Sequence, residues 1–216
     1  MKLSELTKQI RQAECTGDSD PDVQGLCYDS RKVGSGDLFF ALKGEKYDGL
    51  DYVESAINSG SVAVVAETEN PNSDHAVPWV KVPNGREAMS VMSDIFNNSP
   101  SEELTIIGVT GTNGKTTTSY MIHRLLDLGH RRSGLIGTIK YDIKSDNEIE
   151  ANRTTPEAID LQNYLSQMIS NGCCSAVMEV SSHALSQSRT SHVHYDVGVF
   201  TNCLLYTSPS PRDDYE

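Results

Sequence analysis

Apolar residues recur along this chain in two rhythms, and the switching between them predicts its elements. Leu3, Leu6 and Ile10 repeat at helical spacing and predict a short first helix. Residues 14–22 are polar and acidic and read as a turn region. Val23 to Tyr28 reads as a strand. It ends in Asp29-Ser30-Arg31, and a loop with Gly34 and Gly36 leads to a second strand, Asp37 to Leu42. A polar loop over 43–49 precedes a helix from about Leu50 to Asn58, which Gly60 stops. Val62 to Ala66 is an unbroken apolar run, as expected of a strand buried on both faces. Trp79 to Val82 is a further strand, and Asn84 is placed to cap a helix over 85–96.

Residues 97–103 are polar and contain Pro100, which marks a boundary between a domain over 1–98 and another over 99–202. The second opens with a strand, Leu104 to Val109. A helix from Lys115 to Leu128 carries Met121, Leu125 and Leu128 on one face and ends at Gly129. Gly134 to Gly137 is a short strand, and 138–152 is an irregular or hairpin segment. Thr155-Pro156-Glu157 begins a helix, with Thr155 as its cap and Pro156 at its first position. Ser175 to Val180 and Val197 to Phe200 are strands. The expected class is α/β: a small N-terminal α/β domain, then a truncated parallel-sheet, phosphate-loop ATPase domain with ligands at the carboxyl ends of its strands. Lys115, Glu179 and Asn202 fall at such ends.

Candidate chemistry centres on Thr110-Gly-Thr-Asn-Gly-Lys-Thr-Thr117, a glycine-hinged loop between an apolar strand and a helix. Gly111, Thr112, Asn113 and Gly114 would turn backbone N–H groups toward phosphate oxygens at the helix N-terminus. Lys115 can reach terminal phosphates, and the hydroxyls of Thr116 and Thr117 lie beside it, with Thr116 suited to Mg²⁺. The strict G-x-x-x-x-G-K-[ST] pattern wants glycine where Val109 stands, so the match is to its Gly-Lys-Thr end and to the strand-loop-helix setting. The implied ligands are ATP and Mg²⁺. Glu179, at the end of an apolar strand, is a second metal-ligand candidate, and His183 follows it closely. His192 and His194 read as surface residues, Asp29-Ser30-Arg31 as a turn, and Thr154-Thr155 as helix-capping residues. Cys173 and Cys174 read as strand-edge thiols.

Charge narrows the partners. The net charge of −12 over 216 residues is spread through both halves and argues against nucleic acid. Five cysteines without a C-x-x-C suit a reducing cytosol. No N-terminal segment resembles a signal peptide and no apolar run approaches membrane-spanning length, so the expected location is the cytoplasm.

Four stretches together resemble one family. Thr110 to Thr117, Thr154-Thr-Pro156, Met178-Glu-Val-Ser-Ser-His183 and Val199-Phe-Thr-Asn202 are similar to motifs of the Mur ligases. Tyr28-Asp-Ser-Arg31, Gly36-Asp-Leu-Phe39 and Gly44 to Gly49 resemble the UDP-binding domain of the MurE type. The resemblance runs over about residues 20–202. It implies ATP-dependent addition of a diamino acid, L-lysine or meso-diaminopimelate, to UDP-N-acetylmuramoyl-L-alanyl-D-glutamate through an acyl phosphate. It also implies that Tyr28, Ser30, Glu45, Lys46 and Tyr47 surround the uridine diphosphate. Thr154, Thr155, Ser181, Gln187 and Arg189 would then hold the muramoyl-peptide part. Arg153 stands where relatives often carry Asn and is counted with them.

After Asn202 the resemblance stops. The family continues with a further metal-ligand segment, a lysine that becomes carboxylated and an amine-binding domain. Here Cys203 to Glu216 is Ser/Pro-rich, without a core-forming pattern, and reads as a non-native tail on an N-terminal fragment inactive by itself. Two alternatives stand beside this reading: another ligase of the superfamily, including folylpolyglutamate synthase, and a non-catalytic protein that binds a nucleotide or UDP-sugar. The Tyr28 to Arg31 region argues against the folate enzyme.

Overall fold

The computed structural model describes residues 1–44, 47–72, 76–146 and 149–203. Two sheets organise them, and each continuous apolar run becomes a strand. The N-terminal sheet has the order β1-β5-β4-β3-β2, built from β1 (Glu14–Thr16), β2 (Gly25–Cys27), β3 (Asp37–Phe40), β4 (Ala63–Ala66) and β5 (Trp79–Lys81). Strands β2 to β5 are parallel and β1 runs antiparallel to β5. All of β4 is buried, as its apolar run demanded. Helices α1 (Leu3–Thr7), α2 (Val53–Asn58) and α3 (Gly85–Phe96) complete this half. Asn84 caps α3, its side chain accepting from the N–H groups of Arg86 and Glu87 at 3.1 Å each.

The C-terminal sheet has the order β11-β6-β10-β7-β8-β9. Its parallel strands are β6 (Thr105–Thr110), β7 (Ser133–Ile136), β10 (Ser175–Glu179) and β11 (Val197–Phe200). Strands β8 (Lys140–Asp142) and β9 (Ile149–Glu150) extend it antiparallel, so of the irregular or hairpin readings of 138–152 the structure has paired strands. Helices α4 (Lys115–Leu128), α5 (Ala158–Ser170) and α6 (Ser182–Ser186) connect the strands. The two halves meet where α5 packs against α3, and Ala158 and Ile159 enter the apolar core of the N-terminal half. Among the described residues no helix is long and apolar enough to cross a membrane.

Three expectations are corrected. The polar stretch over 14–22 contains β1, an exposed edge strand whose pairing with β5 needs backbone groups rather than apolar side chains. The Met121, Leu125 and Leu128 face of α4 looks outward, and all three are exposed. The inward face is Ser119, Ile122, His123 and Leu126, which repeats at the same helical spacing. Periodicity could not choose between the two stripes; the close approach of α4 to β10 and β7 admits the small Ser119 and excludes Met121. The third concerns the start of α5. It begins at Ala158 with Glu157 at the N-cap position, and Thr155 does not cap it. The Thr155 hydroxyl is committed instead to the Glu179 carbonyl at 2.8 Å.

A charged cluster fastens the hairpin to α4. Lys144 Nζ donates to Asp127 Oδ2 at 2.8 Å and to Asp142 Oδ2 at 3.2 Å, with His123 Nε2 3.4 Å away. Burial, reinforced by Lys144, pushes the His123 pKa below its ordinary 6.5. The folded state therefore binds this proton less readily than the unfolded chain, so stability falls as pH drops below about 6.5. Denaturant melts between pH 7 and 5 should show this loss, and His123→Gln should flatten it. Asp127 and Asp142, whose pKa values are held low, act only at more acid pH.

Candidate functional site

The ends of β6, β10, β7 and β11 converge on one loop, residues 111–114. Gly111 has φ +136°, and a Cβ there would stand 2.2 Å from Thr201 Oγ1. Gly114 has φ +85° and directly precedes α4. Both positions need glycine. The loop is held from the β11 side: Thr112 N donates to Asn202 O at 2.9 Å, and Asn113 N to Asn202 Oδ1 at 3.0 Å. Thr201 Oγ1 and Asn202 Nδ2 donate in return to Asn113 O at 2.6 and 2.9 Å. Lys115 Nζ folds back onto the carbonyls of Gly111 and Thr112, at 2.8 and 3.2 Å. Its ammonium thus lies over the loop that opens α4.

On the other side of the loop lies Glu179, at the end of β10 and fully buried. Its Oε2 accepts from Thr116 Oγ1 at 3.0 Å and from Thr138 Oγ1 at 3.0 Å. Oε1 accepts from Thr138 N at 3.1 Å and Ser119 Oγ at 3.4 Å. Gly137 makes room, since a Cβ there would meet Oε1 at 2.6 Å. A carboxylate so placed, next to a threonine hydroxyl and a phosphate-type loop, suits a hard cation that keeps water and takes its other oxygens from phosphate. The donor set fits Mg²⁺ in that way. Among the described residues no cluster of three or more His, Cys, Asp or Glu could hold a metal unaided.

A second group of residues lies at the seam between the halves. Arg189 is buried; its Nη1 donates to Thr155 O at 3.0 Å and its Nη2 to Gln187 Oε1 at 2.6 Å. The Thr138 and Thr154 hydroxyls share a hydrogen bond at 3.1 Å, so Thr138 bridges the Glu179 centre and the Thr154-Thr155 turn. Ser181 N donates to Thr155 Oγ1 at 3.2 Å, while the Ser181 hydroxyl caps α6 by accepting from Ala184 N at 3.1 Å. Thr154 and Thr155 are therefore part of this centre, contrary to the helix-capping expectation. From the N-terminal half, Tyr28 OH donates to Asp160 Oδ2 at 2.7 Å; burial first, then Asp160, raises its pKa well above the ordinary 10. Arg153 is paired with Glu157.

Other expected site residues stand apart. His183 is exposed on the first turn of α6. Ser30 sits in a 3-10 turn that Asp29 caps, and Tyr47 is exposed. Glu45 and Lys46 lie outside the described residues, as does most of the expected tail, 204–216. His192 lies at the surface, its side chain 37% exposed, with its Nε2 3.1 Å from Glu87 Oε1 on α3. Thr138, Ser119 and Gly137 were missed by sequence reasoning. The position of Gly137-Thr138 at the carboxyl end of β7 was the available signal.

Residues 22–97 match the Mur ligase family, catalytic domain, and residues 109–204 match the Mur ligase middle domain. The chain belongs to the Mur ligase family. It is 43% identical over 202 residues to a protein of Alkaliphilus metalliredigens named UDP-N-acetylmuramoyl-L-alanyl-D-glutamate–2,6-diaminopimelate ligase, covering 94% of this chain and 40% of that one. A protein of the same name from Caldanaerobacter subterraneus is 44% identical over 203 residues, covering 94% and 41%. A solved structure of a ligase with that name superposes with a TM-score of 0.73 at 27% identity, covering 100% of this chain and 43% of the other. This Mur ligase chain thus spans about 40% of the length of the curated relatives it matches.

Replacing Gly111 by Ala forces a side chain into left-handed backbone against Thr201 Oγ1. The expected loss is about 1–3 kcal/mol of stability in denaturant titration. Ala at Gly198, where a Cβ would meet nothing within 4 Å, serves as the neutral control.

Proposed function

We propose that this chain is the nucleotide- and UDP-sugar-binding part of an ATP-dependent ligase. That ligase joins meso-diaminopimelate to UDP-N-acetylmuramoyl-L-alanyl-D-glutamate in peptidoglycan precursor synthesis, in the cytoplasm. The observation that carries the reading is the juxtaposition of the 111–117 loop with buried Glu179 and, through Thr138, with the Thr154-Thr155 turn. A triphosphate site and a peptide-substrate site then share one wall. The relatives' names supply the substrate and the amine.

In this reading the 111–114 loop and Lys115 hold the ATP phosphates, the N–H groups of Thr112 and Asn113 leaving Asn202 to do so, and Thr116 and Glu179 would hold Mg²⁺. The ion supplies charge neutralisation on the transferring phosphoryl group. Lys115 leaves its two loop carbonyls to meet the γ-phosphate, so its charge follows charge that develops in transfer. Thr154, Thr155, Ser181, Gln187, Arg153 and Arg189 orient the muramoyl-peptide, and a guanidinium fork suits its carboxylates. His183 would act from the open side, on substrate or metal. Tyr28, Ser30, Glu45, Lys46 and Tyr47 take the uridine diphosphate. The substrate carboxylate oxygen takes the γ-phosphoryl group and ADP leaves; the amine nitrogen then attacks the acyl carbon, phosphate departs and the amine loses a proton. Positioning and electrostatics are what these residues can contribute to both steps.

The test is a chimera in which residues 1–202 are joined to the remaining part of the Alkaliphilus metalliredigens relative. ADP release should require both UDP-N-acetylmuramoyl-L-alanyl-D-glutamate and diaminopimelate; release independent of the amine would sink the reading. For the 216-residue chain itself, Thr138→Val should weaken binding of a fluorescent ATP analogue by roughly tenfold with Mg²⁺ present and hardly at all in EDTA, with Thr138→Ser close to wild type.

A further inference from the structure

Glu157 is buried, and guanidinium groups from three separate segments converge on it. Arg153 and Arg189 both pair with Oε1, Arg189 Nη2 at 3.1 Å. Arg86, on the first turn of α3 in the other half, approaches Oε2 with its Nη1 at 3.6 Å. Glu157 Oε2 and Arg189 Nε make no hydrogen bond. Three fixed positive charges thus surround one negative charge. Arg189 and Glu157 are buried while Arg153 and Arg86 reach solvent, so water screens part of the repulsion, yet positive charge remains in excess at this seam. Its surplus suits a ligand with carboxylates, and the alanyl-glutamate end of the proposed substrate has two.

The geometry also limits how Arg189 can lie. Thr155 O fixes Nη1, while Gln187 Oε1 and Glu157 Oε1 fix Nη2. A planar guanidinium held at both amino nitrogens has its remaining edge set in direction. Glu157 in turn is placed by the entry of α5 into the core of the N-terminal half, through Ala158 and Ile159. Tyr28 OH on Asp160, one turn along α5, is a second tie across the same seam.

We propose that Glu157 is a positioning residue for the peptide end of the substrate, aiming Arg189 and Arg153, and that Arg86 transmits its placement from the N-terminal half. This rests on the substrate reading above. Of the residues proposed for uridine diphosphate, Tyr28 reaches this seam but is tied to Asp160 rather than to Glu157, so removing Glu157 penalises the dipeptide part of the ligand more than UDP.

Titration calorimetry of the 216-residue chain with UDP and with UDP-N-acetylmuramoyl-L-alanyl-D-glutamate tests it. Glu157→Gln should weaken the muramoyl-dipeptide ligand by about tenfold or more while UDP changes by less than about twofold. Arg86→Gln should produce the same ligand-selective loss at smaller size, and adding it to Glu157→Gln should cost nothing further. Arg86 is partly exposed, at 29%, and Glu157 keeps Arg153 and Arg189 on Oε1 when it is removed, so this variant decides the matter if Glu157→Gln does not fold. Equal losses for both ligands, or an unchanged muramoyl-dipeptide affinity in Arg86→Gln, would overturn the inference. A wild-type chain that binds the two ligands with equal affinity would instead bring down the substrate reading itself.

Discussion

A carboxylate without solvent has to find donors inside the protein, and Glu179 recruits them from two neighbouring elements. Thr116 and Ser119 come from α4, while Thr138 comes from the segment that leaves β7. Leaving any of these polar groups unpaired in the interior would cost on the order of 1–3 kcal/mol each. The first turn of α4 is therefore docked against β10 and β7 at a set height, and the loop before it inherits that height. The same demand explains two small residues: Ser119, where a larger side chain would hold α4 away, and Gly137, where a Cβ would collide with the carboxylate.

The loop is constrained from its opposite flank by a different kind of contact. Thr201 and Asn202 follow β11 and bond the backbone of residues 112 and 113 on both donor and acceptor sides. The phosphate-type loop thus has a side-chain carboxylate on one side and a threonine-asparagine brace on the other. The backbone of the loop is shaped before any ligand arrives, which reduces the ordering cost of binding, while Lys115 and the N–H groups of Thr112 and Asn113 exchange their present partners for phosphate. The Thr154-Thr155 turn is tied to the same centre through Thr138 and through the Glu179 carbonyl, and the seam with the N-terminal half begins there.

Much of this was legible without coordinates. The continuous run at 62–66 is the buried strand expected of it, Asn84 is a cap, and Gly111 and Gly114 take the positive φ angles of the glycine-hinged turn. Glu179 and Asn202 were visible as polar residues at strand ends. What stayed hidden depended on partners far away in the chain. The strand at 14–16 carries no apolar signal, because an exposed edge strand is held by backbone pairing alone. Thr138 looked like part of an irregular segment, and only the parallel pairing of β7 with β10 puts its hydroxyl on Glu179. His192 looked free, and only the packing of the two halves gives it Glu87.

The sequence by itself determined the class of fold, the order of most of its elements and the glycine-hinged turn of the loop, because periodicity, caps and glycines act over a few residues. Tertiary structure decided which of two equivalent stripes of α4 faces the sheet. It turned Thr155 from a helix cap into a tie on Glu179, and it gathered Arg86, Arg153 and Arg189 around one buried carboxylate. Those outcomes depend on close packing and on the cost of unpaired buried charge, and both are properties of residues that meet only after the chain has folded.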